Sequence, residues 1–362
     1  MELNEILRVG TSQGASDIHL RVGLPPMLRI NGTMVTLPNA NRLTPEDTLR
    51  YAAPLMNKEQ KARFAEQLEL DLAYGPKGLG RFRVNVFRQR RTLALVFRTI
   101  PDQVPSFAQL NLPETLENIA EEQRGLILVT GTTGSGKSTT VAAIIDYINT
   151  QRAAHILTIE DPIEFLHRDK KAVLTQREVG NDTPDFASAL RSALRQDPDV
   201  IVVGEMRDRR TVEIALSAAE TGHLVISTLH TVNAAETIYR ISSLFPTHQV
   251  ERIRFQLGSL LKAIISQRLV PRADGNGRIP ALEVLINRGQ VQEYIEDKDR
   301  TREITDAIAK GAATYGTQSF DQSLYRSYKD GLITLDDAML FATNPDQFAM
   351  RVRGVVSAKD NY

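Results

Sequence analysis

Short alternations of polar and apolar residues dominate the N-terminal part of the chain. Ser16-Asp17-Ile18-His19-Leu20 alternates, Leu28-Arg29-Ile30 precedes Asn31-Gly32, and Arg81 to Phe87 sets Arg81, Arg83 and Asn85 against Phe82, Val84 and Val86. A period of two places the apolar members on one face of a strand, and Asn-Gly has the chemistry of a type I′ hairpin turn. Leu93 to Arg98 is expected to pair with the Arg81 to Phe87 strand. Thr99 to Pro113 then carries Pro101, Pro105 and Pro113 without a sustained period, which marks a linker.

From Gly125 the pattern changes to short apolar runs alternating with helical segments, the signature of an α/β unit with a parallel sheet. The expected strands are Leu126 to Thr130, Ile156 to Ile159, Val200 to Val203 and Leu224 to Ser227, each nearly all apolar, as strands covered on both faces are. Ala189 to Arg195 reads as a helix that places Arg191 and Arg195 on one face before Gln196-Asp197-Pro198-Asp199 ends it. An amphipathic helix is expected over Phe245 to Leu269, a turn over Asp274 to Gly277, and short helices over Asp299 to Arg353, with Thr334 and Asp337 spaced as a cap. The chain therefore divides into an N-terminal domain over 1–98, a linker over 99–113 and a larger domain with a C-terminal helical extension over 114–362.

Length and charge narrow the function. The 362 residues suffice for two or three domains. Lys plus Arg equals Asp plus Glu at 44 each and aromatics make up 6%, so no global basic field or stacking platform recommends nucleic acid as a direct partner. The absence of cysteine excludes disulfides and cysteine-ligated metal centres. Met1 to Gly10 mixes Glu2, Glu5 and Arg8 into its apolar residues, so no secretory signal is expected there. No apolar run approaches the ~18 residues of a membrane span, which leaves membrane contact peripheral.

Gly131-Thr132-Thr133-Gly134-Ser135-Gly136-Lys137-Ser138 matches the phosphate-binding P-loop pattern, between a predicted strand and a helix opening with Thr139 and Thr140. The glycines let backbone N–H groups turn toward phosphates, the helix N-terminus adds partial positive charge, Lys137 reaches the β- and γ-phosphates, and Ser138 offers a hydroxyl to Mg²⁺. The other predicted strands also finish in polar residues: Glu160, Asp161 and Glu164; Gly204 and Glu205; Thr228 and His230. Ligands bind at the carboxyl edge of an open parallel sheet. Glu205 stands where P-loop ATPases place a second acidic motif, with Gly204 in place of the usual metal-holding aspartate. Its expected role is to orient the attacking water or bind the metal through water, against the alternative of a plain ion pair with Arg207. Glu160 is the next candidate for either task, and His230 is a candidate γ-phosphate sensor rather than a satisfied core histidine. Glu164 and His223 stay open, and Arg83, Arg98, Arg191 and Arg195 are either solvated charges or arginines for a transferring phosphoryl group.

These motifs together resemble the secretion ATPase superfamily, and within it the type IV pilus retraction, or twitching motility, ATPases. Gly131 to Ser138, the acidic box Thr158 to Glu164, the run from Arg195-Gln196-Asp197-Pro198-Asp199 to Gly204-Glu205-Met206-Arg207-Asp208, and the boxes Thr221-Gly222-His223 and Thr228-Leu229-His230-Thr231 carry the resemblance. It implies an α/β fold: a C-terminal RecA-like P-loop ATPase domain with a smaller N-terminal PAS-like α+β domain. It implies a homo-hexamer that binds ATP and Mg²⁺, the nucleotide over residues 131–139 and the metal at Ser138 and, through water, Glu160. Glu205 is then catalytic, Glu160 and His230 support it, and Arg83 and Arg98 reach the phosphates. The ring is expected in the cytoplasm, docked on an inner-membrane platform protein. Extension and type II secretion members usually carry extra N-terminal domains and a four-cysteine metal site, which favours retraction here. Retraction members also carry a helix of pattern Ala-Ile-Arg-Asn-Leu-Ile-Arg-Glu; the matching segment Gln290 to Asp297 has Gln292 and Glu296 where the arginines fall. The alternatives are therefore an accessory, extension or secretion ATPase of the same superfamily, and, from other classes, a RecA-type nucleic-acid motor or a non-hydrolysing nucleotide-gated scaffold.

Overall fold

The computed structural model describes residues 1–30, 32–101 and 103–354. The chain forms two units, Met1–Gln103 with Glu164–Leu166, and Val104–Ile163 with His167 onward. The first unit contains α1 (Leu3–Ser12), β1 (Asp17–Arg21), β2 (Met27–Ile30), β3 (Thr33–Thr36), α2 (Pro45–Ala52), α3 (Lys58–Gln67), β4 (Glu69–Tyr74), β5 (Arg81–Gln89) and β6 (Thr92–Ile100). Its sheet is antiparallel in the order β3-β2-β1-β6-β5-β4. Ile30 pairs with Thr33, and Asn31 of the expected turn lies outside the described residues. Ile18, Leu28, Val84 and Phe97 bury the apolar face together with Ile6 and Leu7 of α1. On the other face one register row runs Arg29, Asp17, Arg98, Arg83.

The second unit contains α4 (Thr115–Ala120), β7 (Gly125–Thr130), α5 (Lys137–Gln151), β8 (His155–Glu160), β9 (Val173–Glu178), α6 (Phe186–Ala193), β10 (Val200–Val203), α7 (Arg209–Glu220), β11 (Leu224–Leu229), α8 (Ala234–Ser243), α9 (Val250–Leu260), β12 (Leu261–Pro271) and β13 (Arg278–Ile286). Helices α10 (Gln290–Glu296), α11 (Glu303–Lys310), α12 (Ala312–Tyr315), α13 (Phe320–Lys329), α14 (Leu335–Phe341) and α15 (Pro345–Val352) follow. The sheet order is β13-β12-β7-β11-β10-β8-β9, parallel except for the β12–β13 pair. Successive strand residues feed opposite cores: Leu126, Leu128, Ile201 and Val203 enter one, and Ile127, Val129, Val200 and Val202 the other. The second core is closed by α4 and α5 through Leu116, Ile144 and Ile148. The result is a three-layer α/β arrangement whose central strands are covered on both faces.

Two sequence expectations are corrected. The helix expected over Phe245 to Leu269 spans only Val250–Leu260, and the chain then enters β12 beside the P-loop strand. Burial of both faces erases the period of two, so this apolar run imitates the helix before it. The Ala189 to Arg195 helix ends at Ala193, leaving Arg195 in a turn where its Nη1 donates to the Arg191 carbonyl at 3.4 Å. In the segment expected as a linker, β6 continues to Ile100, the described residues from there to α4 carry no helix or strand, and Phe107 stacks on Tyr147 of α5 with ring centroids 5.4 Å apart. A proline-punctuated chain without a period still buries side chains singly, here Phe107 and Leu112. The Thr334 cap forms as spaced, its hydroxyl accepting from Asp337 N and opening α14.

Candidate functional site

β7 ends in Thr130 and turns through residues 131–136 into α5. The turn leaves no space for side chains at two glycines. A Cβ on Gly131 (φ +144°) would stand 2.5 Å from Gln267 O and from Ser135 Oγ, and one on Gly136 (φ +90°) 2.7 Å from Gln267 Nε2. Gln267 of β12 therefore forms the floor of the loop, and its Oε1 accepts from Thr140 Oγ1 at 2.7 Å. No side chain caps α5, whose N-cap is Gly136, so the first N–H groups of a 15-residue helix face the loop unsatisfied by a cap. Ser135 Oγ is buried without a hydrogen-bond partner. A glycine cradle, an uncapped helix start and an orphaned hydroxyl together fit a phosphate chain.

Lys137 is buried and its ammonium donates to the Gly131 and Thr132 carbonyls at 2.8 and 3.0 Å. Burial lowers the pKa of this amine, and the charge of Glu205 opposes that shift. Ser138 is exposed on the same helix start. Beside the loop lies a cleft of about 190 Å³, lined by Gly136, Thr139 and Thr140 and by Asn111, Gln267 and Arg278 from other segments.

The neighbouring strand ends are tied together. Gly204 N donates to Ile159 O at 2.7 Å, Thr228 Oγ1 donates to Gly204 O at 2.6 Å, and Met206 N donates to Thr228 O at 3.3 Å. A Cβ at position 204 would stand 3.1 Å from Ile159 O, so glycine permits the close approach that sets Glu205 beside the end of β8. Glu205 forms the ion pair with Arg207 that was one of its two alternatives, Nε standing 2.8 Å from Oε2, and its other oxygen faces His230, Nε2 standing 3.3 Å from Oε1. His230 follows β11, the strand paired with β7. Glu160, at the end of β8, accepts from Thr158 Oγ1 at 2.7 Å and Gln176 Nε2 at 3.1 Å. His223 lies at the opposite end of β11, with Nδ1 2.9 Å from Ala218 O, and so is separated from this edge.

In the N-terminal unit Arg98 and Arg83 are cross-strand partners. Arg98 Nε is 2.9 Å from Asp17 Oδ1, and Arg83 Nε is 3.8 Å from Asp71 Oδ1. Burial works against ionisation of Asp17, but hydrogen bonds from Arg98 and Ser16 outweigh it and hold the carboxyl below its ordinary range. Gln267 and Gln176 belong to no motif, and Thr158 counts only as the first residue of the acidic box, with no role of its own. Their one sequence signal is a polar side chain inside or beside an apolar strand, as Gln267 is within Leu261 to Val270.

The Type II/IV secretion system protein family matches residues 2–351. The type IV pilus retraction ATPase PilT of Pseudomonas aeruginosa is 44% identical over 348 residues, covering 96% of this chain and all of that protein. The type IV pilus ATPase PilU of the same organism is 40% identical over 353 residues, covering 98% of this chain and 92% of its own length. A crystal structure of the pilus retraction motor PilT with bound ADP superposes with a TM-score of 0.87 at 47% identity, covering 96% of this chain and 98% of that one. With a match that runs nearly end to end and a P-loop site built at the expected sheet edge, the chain belongs to the Type II/IV secretion system protein family.

Proposed function

We propose that this chain is an ATP-hydrolysing motor that works as a homo-hexamer to power type IV pilus retraction and twitching motility. The carrying observation is the Glu205 carboxylate, held between Arg207 and His230 and close enough to Lys137 to act on its charge. Lys137 and the N–H groups of residues 131–139 bind the phosphates, and the cleft beside Thr139 and Thr140 takes the nucleoside. Glu205 orients the attacking water, with Glu160 and His230 supporting it. Arg83 and Arg98 stabilise the transferring phosphoryl group. The Ser138 hydroxyl and, through water, Glu160 would hold Mg²⁺; these hard oxygen donors fit it, and among the described residues no cluster of three acidic, His or Cys side chains forms an all-protein cage. When bound, the ion neutralises charge on the β- and γ-phosphate oxygens. Among the described residues no helix is long and apolar enough to cross a membrane. The motor is proposed to work in the cytoplasm, docked on an inner-membrane platform protein.

A second reading, an accessory ATPase of the same machine, draws on α10. There Gln292 Nε2 donates to Glu296 Oε1 at 2.8 Å in place of the paired arginines of retraction motors. Deleting the gene and scoring surface pili and twitching separates the readings. Excess pili with lost motility supports retraction, bald cells support extension, and ordinary piliation with weakened motility supports the accessory role. Steady-state hydrolysis by the purified chain is expected without stimulation by nucleic acid; strong stimulation would point to a nucleic-acid motor, and no turnover to a scaffold.

A further inference from the structure

We infer that Gln176, on edge strand β9, is a positioning residue for hydrolysis: it fixes the Glu160 carboxylate and fastens it to the far end of the loop that follows. Parallel pairing sets Gln176 directly beside Thr158, and the two-residue period of β8 puts Thr158 and Glu160 on one face. Both neighbours donate to the same oxygen, Thr158 Oγ1 to Glu160 Oε1 at 2.7 Å and Gln176 Nε2 to Oε1 at 3.1 Å. The other end of the Gln176 amide is engaged too, since its Oε1 accepts from His167 N at 2.9 Å.

The second contact fixes the polarity of the first. A backbone N–H can only donate, so the amide carbonyl must face His167 and the NH₂ group must face Glu160. A reversed amide would set donor against donor at one end and oxygen against carboxylate at the other. Gln176 therefore holds both ends of the segment between Glu160 and His167, whose residues 164–166 belong to the N-terminal unit. A residue needed only to satisfy one backbone N–H on an edge strand could be replaced by water. A donor aimed at an acidic side chain of the site restrains that carboxylate together with Thr158 Oγ1, and its loss leaves the carboxylate less firmly held.

This inference rests on the proposed role of Glu160 in hydrolysis, and the test separates the two. The full-length chain would carry Gln176→Met, which keeps length and loses the hydrogen bonds to Glu160 and His167, or Gln176→Glu, which keeps the acceptor for His167, loses the donor and sets a like charge beside Glu160. Glu160→Gln and the double variant Glu160→Gln with Gln176→Met complete the set. Steady-state kcat and KM for ATP, binding of a fluorescent ATP analogue with and without Mg²⁺, and Tm are measured for each. Both Gln176 variants are expected to lose about tenfold in kcat, the size of one charge-assisted hydrogen bond. Analogue affinity without Mg²⁺ should stay as in the parent, Tm should fall modestly with the lost hydrogen bonds, and Gln176→Met should lower kcat no further in the Glu160→Gln background. If Glu160→Gln is impaired while both Gln176 variants turn over normally, or if their analogue affinity without Mg²⁺ falls along with kcat, Gln176 has only a structural role and the inference is overturned. If Glu160→Gln itself turns over normally, the role of Glu160 falls first and the inference with it.

Discussion

Lys137 places a cation inside a loop whose Gly131 and Gly136 leave no space for a side chain. Replacing it with Ala should nearly abolish ATP binding while leaving both cores intact, since Lys137 belongs to neither. Titration calorimetry on a variant with parent-like Tm checks this. Glu205→Gln should bind Mg-ATP yet hydrolyse it at least about a hundredfold more slowly, the size expected for a positioned base. Normal turnover there beside a dead Glu160→Gln variant would transfer the role to Glu160. His167 gives a pH-dependent outcome. Burial pushes its imidazole down from 6.5 to about 4, Asp146 opposing and Lys170 adding to the shift. The native state binds fewer protons than the unfolded one between those values, so stability present above pH 6.5 is lost as pH falls toward 4. At ~1.4 kcal/mol per unit, the contribution lost is about 3 kcal/mol, and His167→Leu should flatten that part of a urea-denaturation pH profile. The P-loop residues were legible because one short segment carries their pattern. Thr140 and Gln267, 127 residues apart, share no local signal, and only the fold brings them together.

At the scale of elements, β12 supports the site more than its position near the sheet edge suggests. It pairs with β7, buries Ile264 in one core and Ile265 in the other, and supplies Gln267 to the P-loop floor. Ile265→Ala should therefore cost about 2–5 kcal/mol in urea denaturation, with a raised KM for ATP if the strand shifts beneath the loop. A loss below about 1 kcal/mol would mean that the second core closes around the cavity. Strands β7, β8, β10 and β11 were readable as apolar runs between turn signals and helices. β12 was not, because α9 leads into it without a turn residue and the helical spacing of α9 carries the eye past Leu260. β9 was hidden for the opposite reason: as an edge strand of partly buried, mostly polar residues, it offers neither an apolar run nor a clean alternation.

For the whole molecule, the two candidate arginines of the N-terminal unit are distinguishable. Asp71 is exposed, so Arg83→Ala should leave Tm unchanged, whereas Arg98→Ala removes a hydrogen-bond donor from the buried Asp17 and should lower it. A fall in kcat for Arg83→Ala at parent Tm, with ATP affinity little changed, is the expected result. Full turnover in that variant would make Arg83 a surface charge. The proposed subunit number left no trace in the residue pattern, since contacts between copies repeat in no periodicity of one chain; analytical ultracentrifugation with and without ATP should give six copies, and a monomer under both conditions would overturn that part of the proposal. The division of the chain also governs how it can be recombined with its relatives. Because residues 164–166 lie within the ATPase sequence yet belong to the N-terminal unit, no single crossover exchanges one unit whole. A chimera joined only near position 103 pairs a foreign N-terminal unit with the wrong three residues, so domain swaps within this family should succeed when both segments are transplanted together and falter when the short one is left behind.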